Sequence, residues 1–417
     1  MIYVDGTLFS TIEISNKVGS WKLNASKNRK GRNLYTACLK NPFDIIGLVL
    51  FARELGEALL LLPPDTPIQT ALENANRVGS DYLIMDNGNQ VIPLAGTHEN
   101  HLPGLLQFSS GTTGEPKLVF RSWEDIDIEV ENYNWALGSS SEECPLILVP
   151  VSHSFGLIAG VLSAIARNTI PKIIRNKNPK FAMGMIHSHP SSLVYGVPYL
   201  FHLYDTLSKG EIRYHKLLSS GAPMSEALFD KLISTTKGIW HQYGSSETGC
   251  ISLGENPSSS QDVGKPLGHL TLSFNAVHTS DSAYEEIVVS NGVKDVLTKD
   301  IGHLSQSGSL HVLGRCDDLI NVSGLKVIPS EVESVIGRMP EVREVVVHRI
   351  SHKIWGEAIK AQIVPSSTVN EQQLKTWCLK HLPTYKVPSV FHFVNEIPKM
   401  PSGKVSRKLL QDLEGSK

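Results

Sequence analysis

The sequence lacks the features that mark several large classes of protein. Its five cysteines are scattered over 417 residues, are odd in number and include no C-x-x-C pair. That pattern argues against a disulfide framework or a zinc site and favours a reducing compartment. Lysine plus arginine (39) nearly balances aspartate plus glutamate (41), which leaves a net charge of −2. We therefore expect no nucleic-acid partner.

Long apolar runs and a signal segment are also missing. The most apolar stretch, Ile45 to Leu62, is interrupted by Arg53, Glu54 and Glu57 and does not fit a membrane span. Residues Met1 to Ser10 show no basic segment followed by an apolar one, as a secretory signal would. These observations predict a cytoplasmic protein that has no membrane among its partners.

What the sequence does contain is an alternation of helical and strand patterns. Apolar residues at helical spacing predict helices at Asp44–Leu55 and Ile68–Val78, and short apolar runs predict strands at Ala58–Leu62, Tyr82–Met85 and Leu105–Phe108. Alternating elements of this kind predict an α/β fold of mostly parallel, helix-covered sheets. Ligands of such sheets bind at the carboxyl ends of the strands.

The last third of the chain changes in character. Short alternating runs from Leu270 to Leu313 predict a small β-rich subdomain. The segment Gly314 to Gly324 is the expected boundary, and the hundred or so residues beyond it suffice for a compact α+β domain. Capping-box signatures predict two helices there, one at Ser330 with Glu333 and one at Asn370 with Gln373.

A nine-residue motif, SSGTTGEPK, directly follows the predicted strand Leu105–Phe108 and is suited to binding a phosphate. Glycine lets backbone N–H groups turn toward an anion, hydroxyls add donors, and lysine adds a point charge. The spacing of a Walker A loop is absent. The residues expected to contact the phosphate are Ser109, Ser110, Gly111, Thr112, Thr113, Gly114 and Lys117.

Two later turns add nucleotide-binding chemistry. In the stretch Tyr243 to Thr248, the tyrosine ring offers a face for a purine, and Gly244 allows close backbone approach. Ser246 can donate to a phosphate, and Glu247 can hold Mg²⁺ or its waters. The turn from Ser220 to Pro223 consists of small residues that can lie along a flat base.

Two further motifs lie nearer the carboxyl terminus. Charged residues followed by a β-branched run and glycine extend from Gly314 to Lys326. The pattern P-x-x-P-S-G-K-x-x-R extends from Pro398 to Arg407 and contains Lys404. Taken alone, the first motif could be an exposed hairpin, and the second could be a solvated tail.

Together, these motifs, in this order over residues 109–407, resemble those of the adenylate-forming superfamily, which includes acyl-CoA synthetases, nonribosomal-peptide adenylation domains and luciferases. The resemblance implies a nucleotide- and acid-binding domain over residues 1–316 and a small, mobile domain over residues 317–417. It also implies two half-reactions. A carboxylate attacks the α-phosphorus of ATP to give acyl-AMP and pyrophosphate, and a thiol then attacks the acyl-adenylate. ATP and Mg²⁺ are the expected cofactors.

The resemblance also suggests residue roles. Lys404 matches the catalytic lysine, Glu247 is the expected Mg²⁺ ligand, and Asp317 matches the pivot of the hinge. His153 lies where the family commonly has an aromatic or histidine gate, and an ordinary polar turn residue is the alternative. The remaining expected nucleotide contacts are Gly221, Ala222, Pro223, Tyr243, Gly244, Ser246, Thr248, Asp300, Arg315 and Lys326. The acid pocket is expected to include Tyr195, Gly196, Val197 and Ser219.

The chain departs from the family pattern in several places. Leu118 and Lys299 stand where glycine is usual, and Lys326 stands where arginine is usual. The phosphate motif begins at residue 109, earlier than in most members. This short front resembles stand-alone ligases that load aryl or other small acids onto carrier proteins, including siderophore-type dihydroxybenzoate ligases.

The expected function is therefore an acid–AMP ligase that transfers a small carboxylic acid, such as a hydroxybenzoate, to the phosphopantetheine thiol of a carrier protein. One alternative is a ligase that uses free coenzyme A. Another is a non-catalytic homologue that binds nucleotide or acyl group and regulates a partner. The presence of Lys404, Glu247, Asp300 and Asp317 together argues against the non-catalytic alternative.

Replacing Lys404 with alanine should cripple adenylation. Loss of one positioned cationic donor at the transition state typically costs on the order of 10²–10³ in rate. ATP–pyrophosphate exchange measures this step, and circular dichroism checks that the variant is folded. Near-normal exchange by a folded Lys404→Ala protein would exclude the lysine from the mechanism.

Overall fold

The computed structural model describes residues 1–21, 32–96, 101–109, 117–138, 143–176, 178–277, 284–352, 355–399 and 405–415. The chain divides into two compact units. The first comprises Met1–Gly221, Thr236–Glu255 and Leu267–His269, and the second comprises Ala222–Thr235, Asn256–Pro266 and Leu270–Lys417.

The helices are numbered in chain order. They are α1 (Thr11–Ser20), α2 (Pro42–Leu55), α3 (Ile68–Arg77), α4 (Trp123–Leu137), α5 (Ser163–Ala166), α6 (Pro179–Ser188), α7 (Pro198–Leu207), α8 (Glu226–Thr235), α9 (Pro329–Gly337), α10 (Glu371–His381) and α11 (Arg407–Gly415). A π-helix, Phe155–Leu162, runs directly into α5. None of the helices that the structure describes is long and apolar enough to cross a membrane.

The strands are numbered in the same way. They are β1 (Ile2–Val4), β2 (Thr7–Phe9), β3 (Leu34–Cys38), β4 (Ala58–Leu61), β5 (Tyr82–Met85), β6 (Gln90–Pro93), β7 (Gly104–Ser109), β8 (Lys117–Ser122), β9 (Cys144–Ile147), β10 (Lys172–Ile173), β11 (Ser192–Gly196), β12 (Tyr214–Ser219), β13 (Thr236–Ser245), β14 (Gly249–Glu255), β15 (Lys265–Pro266), β16 (Thr271–Ala276), β17 (Glu285–Ser290), β18 (Asp295–Leu304), β19 (Leu310–Arg315), β20 (Ile320–Val322), β21 (Leu325–Val327), β22 (Val342–His352), β23 (Gly356–Pro365) and β24 (Val390–Phe393).

The first unit contains two sheets that are parallel in their centres. One has the order β6-β5-β3-β4-β7-β8, and its outer pairs, β5–β6 and β7–β8, are antiparallel. The other sheet is larger, and its strands in this unit have the order β14-β13-β12-β11-β9-β10-β1-β2. All residues of β3, β4 and β11 are buried, as expected for strands that are covered on both faces. The predicted α/β fold of mostly parallel sheets is confirmed.

The local predictions for this unit are largely confirmed. The helices expected at Asp44–Leu55 and Ile68–Val78 are α2 and α3, and the strand expected at Tyr82–Met85 is β5. Helix α2 begins after Asn41, whose side chain accepts a hydrogen bond from the N–H of Phe43, and it ends at Gly56 in a left-handed conformation. Capping residues and apolar spacing thus set the limits of this helix.

The second unit contains two further sheets. The antiparallel sheet β16-β17-β18-β19 is the β-rich subdomain predicted between Leu270 and Leu313. The sheet β21-β20-β23-β22, with β24 on β23, has a separate apolar core that includes residues from α9 and α10. This is the small α+β part that the sequence predicts. The domain boundary at residues 316 and 317 stays a prediction.

Of the two predicted capping boxes, one is confirmed and one is wrong. Asn370 and Gln373 exchange both bonds at the start of α10. Helix α9 instead begins at Pro329, because proline favours the first helical position and Ile328 precedes it as the cap residue. The hydroxyl of Ser330 donates to the carbonyl of Leu313.

The start of α11 is fastened by Arg407. Its Nε donates to the carbonyl oxygen of Val347 at 2.9 Å, and its Nη1 donates to Asp318 Oδ2 at 3.0 Å. Its Nη2 donates to both carboxylate oxygens of Glu333, at 2.7 and 2.8 Å. The arginine side chain is only 22% exposed. One guanidinium therefore joins α9, β22 and the segment that follows β19.

Replacing Arg407 with lysine should destabilise the second unit by on the order of 2 kcal/mol, because one ammonium nitrogen cannot reach three partners in different directions. Urea unfolding followed by tryptophan fluorescence measures the change. Arg349→Lys is the matched control, since Arg349 is 39% exposed and lies 3.9 Å from its partner Glu357. Its effect should stay within about 0.5 kcal/mol. Equal effects of the two variants would contradict a role for the three-partner geometry.

Candidate active site

The predicted acid pocket lies at the carboxyl edge of the larger sheet in the first unit. Gly196 ends β11 and pairs with Ser219, which ends β12, and Ser219 pairs in turn with His241 in β13. Because these strands are parallel, the connections that follow them start from one edge. The side chain of Ser219 is fully buried, and its hydroxyl has no hydrogen-bond partner among the residues described. Gly221 follows with a φ of +85°, a conformation that favours glycine.

Tyr195 is the residue before Gly196 in β11. It is fully buried, and its ring lies 6.0 Å from that of Phe155. Its hydroxyl is close to the hydroxyl of Tyr133 and to Arg167, and burial raises the pKa of Tyr195. We expect the ring of this tyrosine, more than its hydroxyl, to shape the pocket. The small residue after it, Gly196, is needed for packing, since a Cβ there would lie 2.7 Å from the ring of Phe201.

The loop that carries His153 is held by a residue that the sequence analysis did not single out. Gln107, buried in β7, donates to the carbonyl oxygen of Ser152 at 2.7 Å and accepts a hydrogen bond from the hydroxyl of Ser154 at 2.6 Å. The His153 side chain is exposed between these two contacts. A glutamine inside an otherwise apolar strand was the available signal.

The phosphate motif connects β7 to β8. Ser109 and Lys117 are direct partners in the antiparallel pairing of these two strands, and Lys117 is exposed. The predicted contacts between them (Ser110, Gly111, Thr112, Thr113 and Gly114) lie outside the described residues, as does the predicted catalytic residue Lys404.

The Tyr243–Thr248 motif forms the connection between β13 and β14. The antiparallel pairing shifts register after Tyr243, where a Cβ on Gly244 would lie 2.3 Å from the carbonyl oxygen of Gly249. The hydroxyls of Ser245 and Thr248 are 3.0 Å apart, so Thr248 stabilises the turn. Between them, Ser246 is partly buried and Glu247 is exposed.

Glu247 suits a magnesium ion that takes most of its ligands from a substrate. Among the described residues, no group of three His, Cys, Asp or Glu side chains could hold a metal ion on its own. Mg²⁺ commonly binds through one or two carboxylates together with phosphate oxygens and water. One exposed carboxylate on a turn fits that donor set.

The second unit brings together three predicted nucleotide and hinge residues. Arg315 Nη1 donates to Asp300 Oδ1 at 3.0 Å, across a direct pairing of β18 with β19. Asp317 Oδ2 lies 3.6 Å from Arg315 Nη2 and 3.6 Å from Lys299 Nζ. Lys299 occupies a left-handed conformation with a φ of +62°, which suits the glycine usual in the family better than lysine.

The other predicted residues of this unit are placed as follows. Ala222 and Pro223 precede α8. Lys326 lies on β21, where it pairs with Asn321.

Comparison with known proteins identifies the family of this chain. The AMP-binding enzyme family matches residues 69–274, and the AMP-binding enzyme C-terminal domain matches residues 331–404. The chain is 46% identical over 382 residues to a 3,4-dihydroxybenzoate–[aryl-carrier protein] ligase of Bacillus anthracis, with 91% of each protein covered.

Solved structures share the fold. ATP-bound MatB from Rhodopseudomonas palustris superimposes with a TM-score of 0.83 at 18% identity, covering 99% of this chain and 95% of that one. O-succinylbenzoate coenzyme A synthetase (MenE) from Bacillus subtilis, in complex with ATP and a magnesium ion, gives 0.75 at 20% identity, with 96% and 92% covered. The chain therefore belongs to the AMP-binding enzymes of the adenylate-forming superfamily.

Proposed function

We propose that this enzyme activates a small aryl carboxylic acid with ATP and passes the acyl group to the phosphopantetheine thiol of an aryl-carrier protein. The observation that carries the proposal is the 46% identity, over 91% of both chains, to a ligase named for 3,4-dihydroxybenzoate and an aryl-carrier protein. The carboxyl edge formed by Gly196, Ser219 and the loop at His153 supports it, because this is where a parallel sheet binds ligands.

The first half-reaction joins the acid to AMP. A carboxylate oxygen of the acid attacks the α-phosphorus, a new P–O bond forms, and the bond to pyrophosphate breaks. Negative charge grows on the α-phosphate oxygens, so cations directed at them lower the barrier most. We assign that role to Lys404. The other phosphates would be bound by Lys117 and by the hydroxyls of Thr112, Thr113 and Ser246. A magnesium ion held by Glu247 would neutralise phosphate charge.

We assign the ribose hydroxyls to Asp300 and Arg315, and the adenine face to Tyr243 with the Gly221–Pro223 turn. The Asp300 carboxylate can accept hydrogen bonds from two vicinal hydroxyls, and Arg315 already orients it through the 3.0 Å contact. A carboxylate that is fixed before the ligand arrives loses less conformational entropy on binding.

The second half-reaction transfers the acyl group. A thiol sulfur attacks the acyl carbon and gives up its proton to solvent, a C–S bond forms, and AMP leaves with the electrons of the C–O bond. The carrier-bound phosphopantetheine and free coenzyme A present the same thiol, so a coenzyme A ligase is the alternative. A regulatory protein without catalysis is the third possibility. It predicts that no acid supports ATP–pyrophosphate exchange. The cytoplasmic location stays a prediction.

Hydroxylated benzoates should support Mg²⁺-dependent ATP–pyrophosphate exchange better than α-amino or fatty acids. Neither the Ser152–Phe155 loop nor the Tyr195–Pro198 segment contains an aspartate to pair with an ammonium group. The test is a panel of aryl, amino and fatty acids, with reactions lacking acid or Mg²⁺ as controls. A strong preference for an amino acid would reject the aryl proposal, and no exchange with any acid would favour the regulatory one. Thioester formation on a carrier protein or on coenzyme A identifies the acceptor.

We also propose that residues 317–417 rotate about Asp317 between the half-reactions, because Lys404 must approach the α-phosphate in one step and clear a path for the thiol in the other. Asp317→Pro fixes φ near −65° and hinders rotation. It should keep much of the exchange activity and lose most thioester formation. Asp317→Ala, which removes the carboxylate without restricting the backbone, is the control and should keep both. Equal losses in the two half-reactions by a folded Asp317→Pro protein would place the pivot elsewhere.

A further inference from the structure

A buried ion pair contacts the backbone that immediately follows the turn carrying Glu247. Arg121 Nη1 is 2.5 Å from Glu129 Oε2, and the two side chains are 7% and 3% exposed. Removing two charges from water carries a large desolvation cost, and a buried pair is often no more stabilising than apolar residues of the same volume. Its position in the fold therefore suggests a purpose other than stability.

The pair supports the backbone just after the turn. The second oxygen of the same carboxylate, Glu129 Oε1, accepts a hydrogen bond from the N–H of Cys250 at 2.8 Å. Gly249 has a φ of +72°, and a Cβ on it would lie 2.2 Å from Glu129 Oε2 and 2.3 Å from Arg121 Nη1. Only glycine lets the chain lie this close to the two charged groups. Residues 246–248 immediately precede this contact.

The other end of the pair lies on the strand that follows the phosphate motif. Arg121 lies on β8, the strand that begins at Lys117 and receives the chain from that motif. β8 is the edge strand of its sheet, where β7 is its neighbour in the strand order. Glu129 lies nearly two helical turns into α4, which starts directly after β8. The ion pair therefore links the strand that leaves the phosphate motif to the hairpin that carries Glu247.

We propose that Arg121 and Glu129 are positioning residues for adenylation, which hold the Glu247 turn in a fixed place relative to β8, the strand that follows the phosphate motif. This inference rests on the proposed function, because it assigns both loops to MgATP. Neither residue touches the reacting atoms. Their contribution should appear in the use of MgATP and not in recognition of the acid, whose pocket lies at the ends of β11 and β12.

The test is Glu129→Gln, which keeps the shape and an acceptor for the Cys250 N–H and removes the charge that pairs with Arg121. In ATP–pyrophosphate exchange, kcat/KM for MgATP should fall by on the order of 10–10², since small misplacements at reacting groups have effects of this size. The KM for the acid should stay within about two-fold of the wild-type value.

Glu143→Gln is the matched control. Glu143 is 8% exposed and pairs with Lys216, toward the amino ends of β9 and β12 and therefore away from the carboxyl edge. Both Glu143→Gln and Glu129→Gln should lower the thermal midpoint, but Glu143→Gln should leave the KM for MgATP unchanged. If Glu129→Gln does not fold, Arg121→Lys is the second test. It keeps the charge but replaces the guanidinium by an ammonium on a different stem, so kcat/KM for MgATP should again fall while the KM for the acid stays unchanged.

The outcomes separate the two proposals. Kinetic constants of Glu129→Gln that match those of Glu143→Gln, or a parallel rise in the KM for the acid, would overturn the positioning role. A wild-type protein without exchange activity would instead overturn the proposed function.

Discussion

The register of the parallel strands β9, β11, β12 and β13 determines where the functional loops of the first unit lie. Tyr195 is paired with Ile147, Gly196 with Ser219, and Ser219 with His241. Because neighbouring strands run in one direction and end at matched positions, their connections leave from the same edge. Residues separated by about a hundred positions in the chain, such as Ile147 and His241, therefore lie at one edge of the sheet. A shift of one residue would turn each strand's side chains to the opposite face.

Much of this could be predicted from the sequence, because the relevant signals are local. Apolar spacing indicated α2 and α3, and short apolar runs indicated β4, β5 and β7. The Tyr243–Thr248 motif forms the turn between β13 and β14, and Ser109 and Lys117 lie at the facing ends of β7 and β8, where glycine and hydroxyl residues are chemically useful. Resemblance then supplied roles that spacing alone left open. In the second unit, Asp300, Arg315 and Asp317 indeed lie together.

The parts that could not be predicted depend on contacts between residues distant in sequence. β1 pairs with β10, about 170 residues away, although nothing in Ile2–Val4 indicates that partner. Gln107 bonds to a loop 45 residues on, and Glu129 bonds to Cys250, 121 residues on. The Ser330 cap failed for the same reason, since the hydroxyl found a carbonyl in β19. A polar residue in a buried segment signals that a partner exists, without saying which.

The bonds of Arg407 have a mechanical consequence. All of its partners (Asp318, Glu333 and Val347) lie after Asp317 in the chain. If the backbone turns at Asp317, the guanidinium moves with α9 and β22, and its own distances need not change. The proposed catalytic Lys404 is three residues from this anchor. The small domain would then rotate as a rigid body about Asp317, one residue before the first partner of Arg407. A change in a few backbone torsions at Asp317 would therefore displace Lys404 together with the rest of the domain.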